Sequence, residues 1–106
     1  METADAAAAF AAMAAILERE DEVALRPGRG FGAGGLFRRG RLFAKLVRGR
    51  LLVRLPAARV ADLIAQGLAI PFDAGKGRPM AEWALLEPTA DWVAVAREAG
   101  AFAKTL

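Results

Sequence analysis

Two stretches of this chain hold side chains or backbone that could do chemistry. Gly30-Phe31-Gly32-Ala33-Gly34-Gly35 has the G-x-G-x-x-G spacing of a dinucleotide-binding loop. That loop works between a strand and a helix, because the helix N-terminus meets the pyrophosphate. Here Leu36 to Gly40 reads as a strand and a turn, and no acid stands about twenty positions on to hold a ribose. Gly35 to Arg41 has the spacing of a Walker loop, but Arg41 replaces the lysine and Leu42 the Mg²⁺-binding hydroxyl. Neither pattern is complete. Gly30, Gly32, Gly34 and Gly35 are therefore read as a structural loop. Gly32 and Gly35 are expected to serve through positive φ or close strand contact rather than phosphate binding.

The second stretch is basic. No acid occurs between Glu22 and Asp62, while Arg26, Arg29, Arg38, Arg39, Arg41, Lys45, Arg48, Arg50, Arg54 and Arg59 do. All but one are arginine, the cation best shaped for bidentate contact with phosphate or carboxylate. Arg38, Arg39, Arg41, Lys45, Arg48 and Arg50 are the candidate contacts for a nucleic-acid or protein partner. Strand alternation places Arg39, Arg41 and Lys45 on one face, with Arg48 and Arg50 at the neighbouring turn, a patch about 15 Å long. Such a patch would touch phosphates without reading bases, so binding would be sequence-independent and salt-sensitive. The competing arrangement is neutralisation by Glu18, Glu20 and Glu22.

Catalysis has little to work with. The chain lacks cysteine, histidine, serine, tyrosine and asparagine, and its hydroxyls are Thr3, Thr89 and Thr105. Nucleophilic catalysis needs a nucleophile and a base to activate it. The carboxylates Glu82 and Glu87, and the group Glu18, Glu20, Asp21 and Glu22, have neither a second catalytic type beside them nor a metal-ligand spacing. The expectation is a binding domain, not an enzyme, with no catalytic residue, metal or cofactor.

These stretches must be positioned by a single core, since 106 residues suffice for one. Residues 4–22 read as a helix with the apolar stripe Ala6, Phe10, Met13 and Leu17. It opens with Glu2 and Asp5 rather than a basic segment, which argues against a secretory leader. Its uncharged run is too short to span a bilayer. Residues 26–35 read as a glycine loop or an irregular strand. Strands are expected over 36–39, 41–47 and 50–55, with turns at Gly40 and Arg48-Gly49. Leu51, Val53 and Leu55 alternate with Leu52 and Arg54, as in a sheet packed on one side. Pro56 opens a second helix with the stripe Val60, Leu63 and Ile64, and Gly67 stops it. An extended piece at 70–72, a loop over 73–79 and a strand over 80–87 follow. Thr89 caps a last helix with the stripe Trp92, Val95, Ala99 and Phe102. Leu46, Val53, Leu63, Trp83 and Trp92 are the expected buried core.

The order is α-β-β-β-α-β-β-α: an α+β domain over 1–106, with an antiparallel sheet and helices packed against it. An open sheet edge invites pairing. The expected partners are a protein or a second copy of the chain as a homodimer. Nucleic acid is a further candidate, a membrane is not, and the lack of cysteine fits a cytoplasmic location.

Several motifs in series resemble a known family. Phe31-Gly32-Ala33-Gly34-Gly35-Leu36-Phe37, then Gly40-Arg41-Leu42-Phe43-Ala44, resembles the glycine-rich opening of the TfoX/Sxy N-terminal domain. Leu51 to Leu55 looks like its next strand. Pro71-Phe72, Gly77-Arg78-Pro79-Met80, Trp83 and Trp92 look like its later signature. The resemblance runs over about residues 28–104 and departs at Gly30, often methionine in the family, and at Gly34, usually bulkier. It implies the same element order, similar to YjbR-like and secretion-chaperone-like domains. It also implies a regulatory rather than catalytic role, since full-length members are linked to control of DNA-uptake competence. The family's C-terminal helical domain is not expected within these residues.

Overall fold

Alanine, the strongest helix former, fills the first element. In the computed structural model, which describes residues 3–26, 34–73, 75, 77 and 79–106, α1 runs Thr3–Leu17. Ala6, Phe10, Met13 and Leu17 are all buried, as their spacing requires. The helix stops five residues short of the expected end. Glu18, Glu20, Asp21 and Glu22 would have set negative charge against the negative end of the helix dipole. The chain turns there instead, and Glu22 adopts φ 66°.

That turn delivers an additional strand, β1 (Val23–Arg26), before β2 (Gly35–Arg38), β3 (Arg41–Val47) and β4 (Arg50–Arg54). After α2 (Ala57–Ala65) come β5 (Ala69–Pro71), β6 (Trp83–Leu86) and α3 (Trp92–Ala103). The order is α-β-β-β-β-α-β-β-α, one strand more than expected, in an α+β domain. The six strands form one antiparallel sheet ordered β1-β2-β3-β4-β6-β5.

Two hairpins have two-residue turns, Arg39-Gly40 and Arg48-Gly49, with φ of 52° and 78°, and 49° and 81°. Positive φ at both positions matches the twist of the flanking strands, which is why glycine takes the second place in each. Between β2 and β3 the register shifts: Leu36 lies opposite Ala44 but Phe37 lies opposite Leu42. Phe43 is thus the extra residue of a β-bulge, and Phe43 and Ala44 are both buried.

All three helices share one core with one face of the sheet. That face presents Leu36, Ala44, Leu51, Val53, Ala69, Ala84 and Leu86. Val60 and Leu63 bring α2 into this core, and Trp92, Val95, Ala96 and Ala99 bring α3. Val53, Leu63 and Trp92 are buried as expected, whereas Leu46 and Trp83 are only half-buried. Pro56 sits one position before the helix it precedes, as N-cap of α2. Asp91, not Thr89, caps α3: its carboxylate accepts the Ala94 N–H at 3.1 Å. No helix among the described residues is long and apolar enough to cross a membrane.

Candidate partner-binding surface

The basic stretch does not fold into one patch. The turn Arg39-Gly40 and the turn Arg48-Gly49 lie at opposite ends of β3, whose seven residues separate them by about 20 Å. The bulge at Phe43 also inverts the alternation along β3. Arg41 pairs with Arg38 on the helix-bearing side, while Lys45 pairs with Leu52 on the other. The expectation that Arg39, Arg41 and Lys45 point one way fails for this reason.

Most of these cations are also answered by carboxylates from distant parts of the chain. Arg38 is buried beneath α3, with Nη1 3.7 Å from Glu20 Oε1, and its Nε has no hydrogen-bond partner. Arg97 donates from Nε to the other oxygen of Glu20 at 3.0 Å, so one carboxylate ties β2 and α3 to the end of α1. Arg39 donates to both oxygens of Glu22 at 2.9 and 3.0 Å. Arg50 meets Glu87 at 2.5 Å, and Arg54 meets Glu82 at 3.0 Å. Arg59 bridges Glu98 and Asp62, and its hydrogen bond to Glu98 is the main cause that holds its guanidinium above the ordinary arginine range. Of the six candidate contacts, Arg38, Arg39 and Arg50 are paired. Arg41 and Arg48 are exposed without an ion pair among the described residues. Glu20 and Glu22 thus neutralise part of the stretch, as the competing arrangement required.

Gly30 and Gly32 lie outside the described residues. Gly34 has φ 77° and donates its N–H to Arg26 O at 2.6 Å. Gly35 is buried in β2 opposite Arg26, a strand contact rather than a turn. Among the described residues no group of three or more acidic side chains could hold a metal ion.

Sequence reading passed over the second face of the sheet. Phe37 and Leu42 share it with Lys45, Leu52 and Leu85, by register. Leu52 is fully buried, yet it is not part of the core beneath the helices. Arg26 lies over the Phe37 ring at 4.3 Å and Arg54 over the Trp83 ring at 5.7 Å, so cations shield both aromatics. A groove of about 700 Å³ runs between β3 and the chain that follows β5. Val47, Ile70, Phe72 and Leu85 line it, with Lys45 and Arg48 on one side and Asp73 on the other. Asp73 is partly engaged, because its Oδ1 accepts the Gly75 N–H at 2.6 Å. The available signal was the pair Leu52 and Leu85, two large apolar residues at positions that alternation assigns away from the helices. The chain matches no family model, no curated protein and no solved structure.

Proposed function

We propose that this chain is a non-enzymatic binding module whose partner is a protein, engaged through the face of the sheet that carries no helix. The carrying observation is the groove on that face, apolar along Val47, Ile70 and Leu85 and bordered by the exposed Arg48, which has no ion pair among the described residues. A concave apolar floor bordered by a few polar groups is the form that binding sites commonly take. The partner segment it fits has apolar anchors flanked by a carboxylate, which complements Arg48. The series of motifs from Phe31 to Trp92, similar to the TfoX/Sxy N-terminal domain, supports a regulatory role for such binding. Val47→Glu with Leu85→Glu should abolish capture of a discrete partner, and the purified partner should rebind only the unsubstituted chain. Capture unchanged by both substitutions would overturn the reading.

Nucleic acid is the second reading, favoured by Arg41 and Arg48, which are exposed and have no ion pair among the described residues, in a chain of net charge +3. They lie at opposite ends of β3, so the two could bind only sparsely. Titration of a labelled duplex at low salt separates the readings. Binding below about 100 µM that weakens with salt, and is lost on Arg41→Glu with Arg48→Glu, would favour nucleic acid.

A further inference from the structure

The sheet has two edges, and they are built differently. β5 is three residues long and ends in Pro71, which has no N–H to donate to another strand. Met80 N–H also donates to Phe72 O at 2.8 Å, tying the returning chain to the end of this edge. β1 has four residues and no proline, and Ala24, Leu25 and Arg26 are all exposed. Leu25 is one of the few large apolar side chains left in solvent, at 38% exposure.

The backbone of β1 is presented for pairing. Arg26 C=O accepts from Gly34 N–H, so it points toward β2. Val23 N–H donates to Glu20 O at 3.3 Å and therefore does not point toward β2. Alternation then turns the N–H and C=O of Leu25 away from the sheet. An outward donor and acceptor beside an exposed leucine form a template for another strand.

We propose that this template recognises a second copy of the chain: β1 pairs with β1 antiparallel about a twofold axis at Ala24, joining two sheets edge to edge. In this register Val23 of each copy lies opposite Leu25 of the other and covers it on the helix side. Arg26 of each copy comes beside Glu22 of the other, a half-exposed carboxylate already held by Arg39 of its own chain, so each end of the paired strands gathers one acid between two cations. Because Pro71 closes the far edge, the contact cannot propagate, and the product is a closed dimer rather than a fibre. Four residues on each side bury less than the ~1,000 Å² of a stable interface, so the dissociation constant should be on the order of 100 µM. The inference names a partner within the interaction-module reading above, but it uses a surface separate from the groove.

Sedimentation from about 10 µM to about 1 mM should show the mass rising from 11.2 kDa toward twice that value, as expected for a weak interface. Leu25→Pro removes the outward N–H and leaves the β1–β2 bonds in place, so it should abolish the rise while the far-UV spectrum is kept. Arg26→Glu should weaken association several-fold, Glu22→Arg should weaken it further because it also gives up Arg39, and the two together should recover most of the loss. Restoration reports contact between copies even if the proline variant unfolds. A mass of 11.2 kDa throughout, or association indifferent to Leu25→Pro and to the charge exchange, would overturn the inference. Either failure leaves the groove reading standing, because that reading is tested by Val47→Glu and Leu85→Glu.

Discussion

Replacing Glu20 by Gln leaves Arg38 buried without its counter-charge. The two groups are 3.7 Å apart, with the arginine side chain 9% exposed and the glutamate 30%. Across that distance the attraction is about 1 kcal/mol in water and about 4.5 kcal/mol at an effective dielectric of about 20. Removing one partner of a fully buried pair costs about 3–5 kcal/mol. Glu20 keeps part of its hydration, so a loss of about 2 kcal/mol is expected, below that of a fully buried pair. For a domain of this size it lowers the melting temperature by roughly 8–16 °C. Arg38→Met should behave differently. It removes the charge and the unpartnered Nε together, keeps an apolar stem under α3, and should stay within about 1 kcal/mol of the parent.

Urea unfolding of the parent, both single variants and the double variant closes the cycle. In the Arg38→Met background, Glu20→Gln should cost under about 0.5 kcal/mol, since only the exposed contact with Arg97 remains to be lost. If Arg38→Met destabilises more than Glu20→Gln, the arginine stabilises the fold by its own packing or bonds. The account of a buried charge held by one carboxylate would then be refuted.

Three further substitutions test other parts of the fold. Gly100 lies within α3, and a Cβ there would meet Arg38 Nη1 and the Phe43 ring at 3.4 Å, an ordinary contact. Gly100→Ala should therefore gain up to about 1 kcal/mol from helix propensity, read as a higher melting temperature; a fall would show that the ring cannot yield. Leu63, 1% exposed, anchors α2 to the core, so Leu63→Ala should cost about 2–5 kcal/mol; an unchanged urea midpoint would contradict that packing. Arg48 holds φ 49° in a two-residue turn and has no ion pair among the described residues, so Arg48→Asn should stabilise by some tenths of a kcal/mol, about 0.3–1. Arg39→Asn, at the equivalent turn, should gain less because it gives up Glu22.

The parts of the fold legible in the sequence are those where one local rule acts alone. The stripe of α1, the stop of α2 at Gly67 and the turn at Arg48-Gly49 each follow from spacing or from a backbone need at one residue. What escaped reading depends on competition. Alanine propensity suggested a helix to residue 22, but the acids at the helix end oppose the dipole and end it at Leu17. Four residues, Val23 to Arg26, are too few to show alternation, and they become a strand only because β2 is there to pair with. Asp91 takes the cap because the helix starts at Trp92, which places Thr89 too far upstream to reach a free N–H.

The candidate surface shows how strongly a single residue governs such a reading. Ten cations in a row of strands and turns suggest one basic face only if alternation runs unbroken. Phe43 breaks it, and two short hairpin turns send neighbouring arginines to opposite ends of the sheet. Glu82, Glu87 and Glu98, all from the C-terminal part of the chain, then arrive beside Arg54, Arg50 and Arg59. A stretch free of acids in sequence is therefore not free of them in space. The same geometry leaves Val47, Ile70 and Leu85 on the face without helices, where apolar surface persists after the charges have been matched. That remainder, rather than the arginine count, is what the proposed partner would cover.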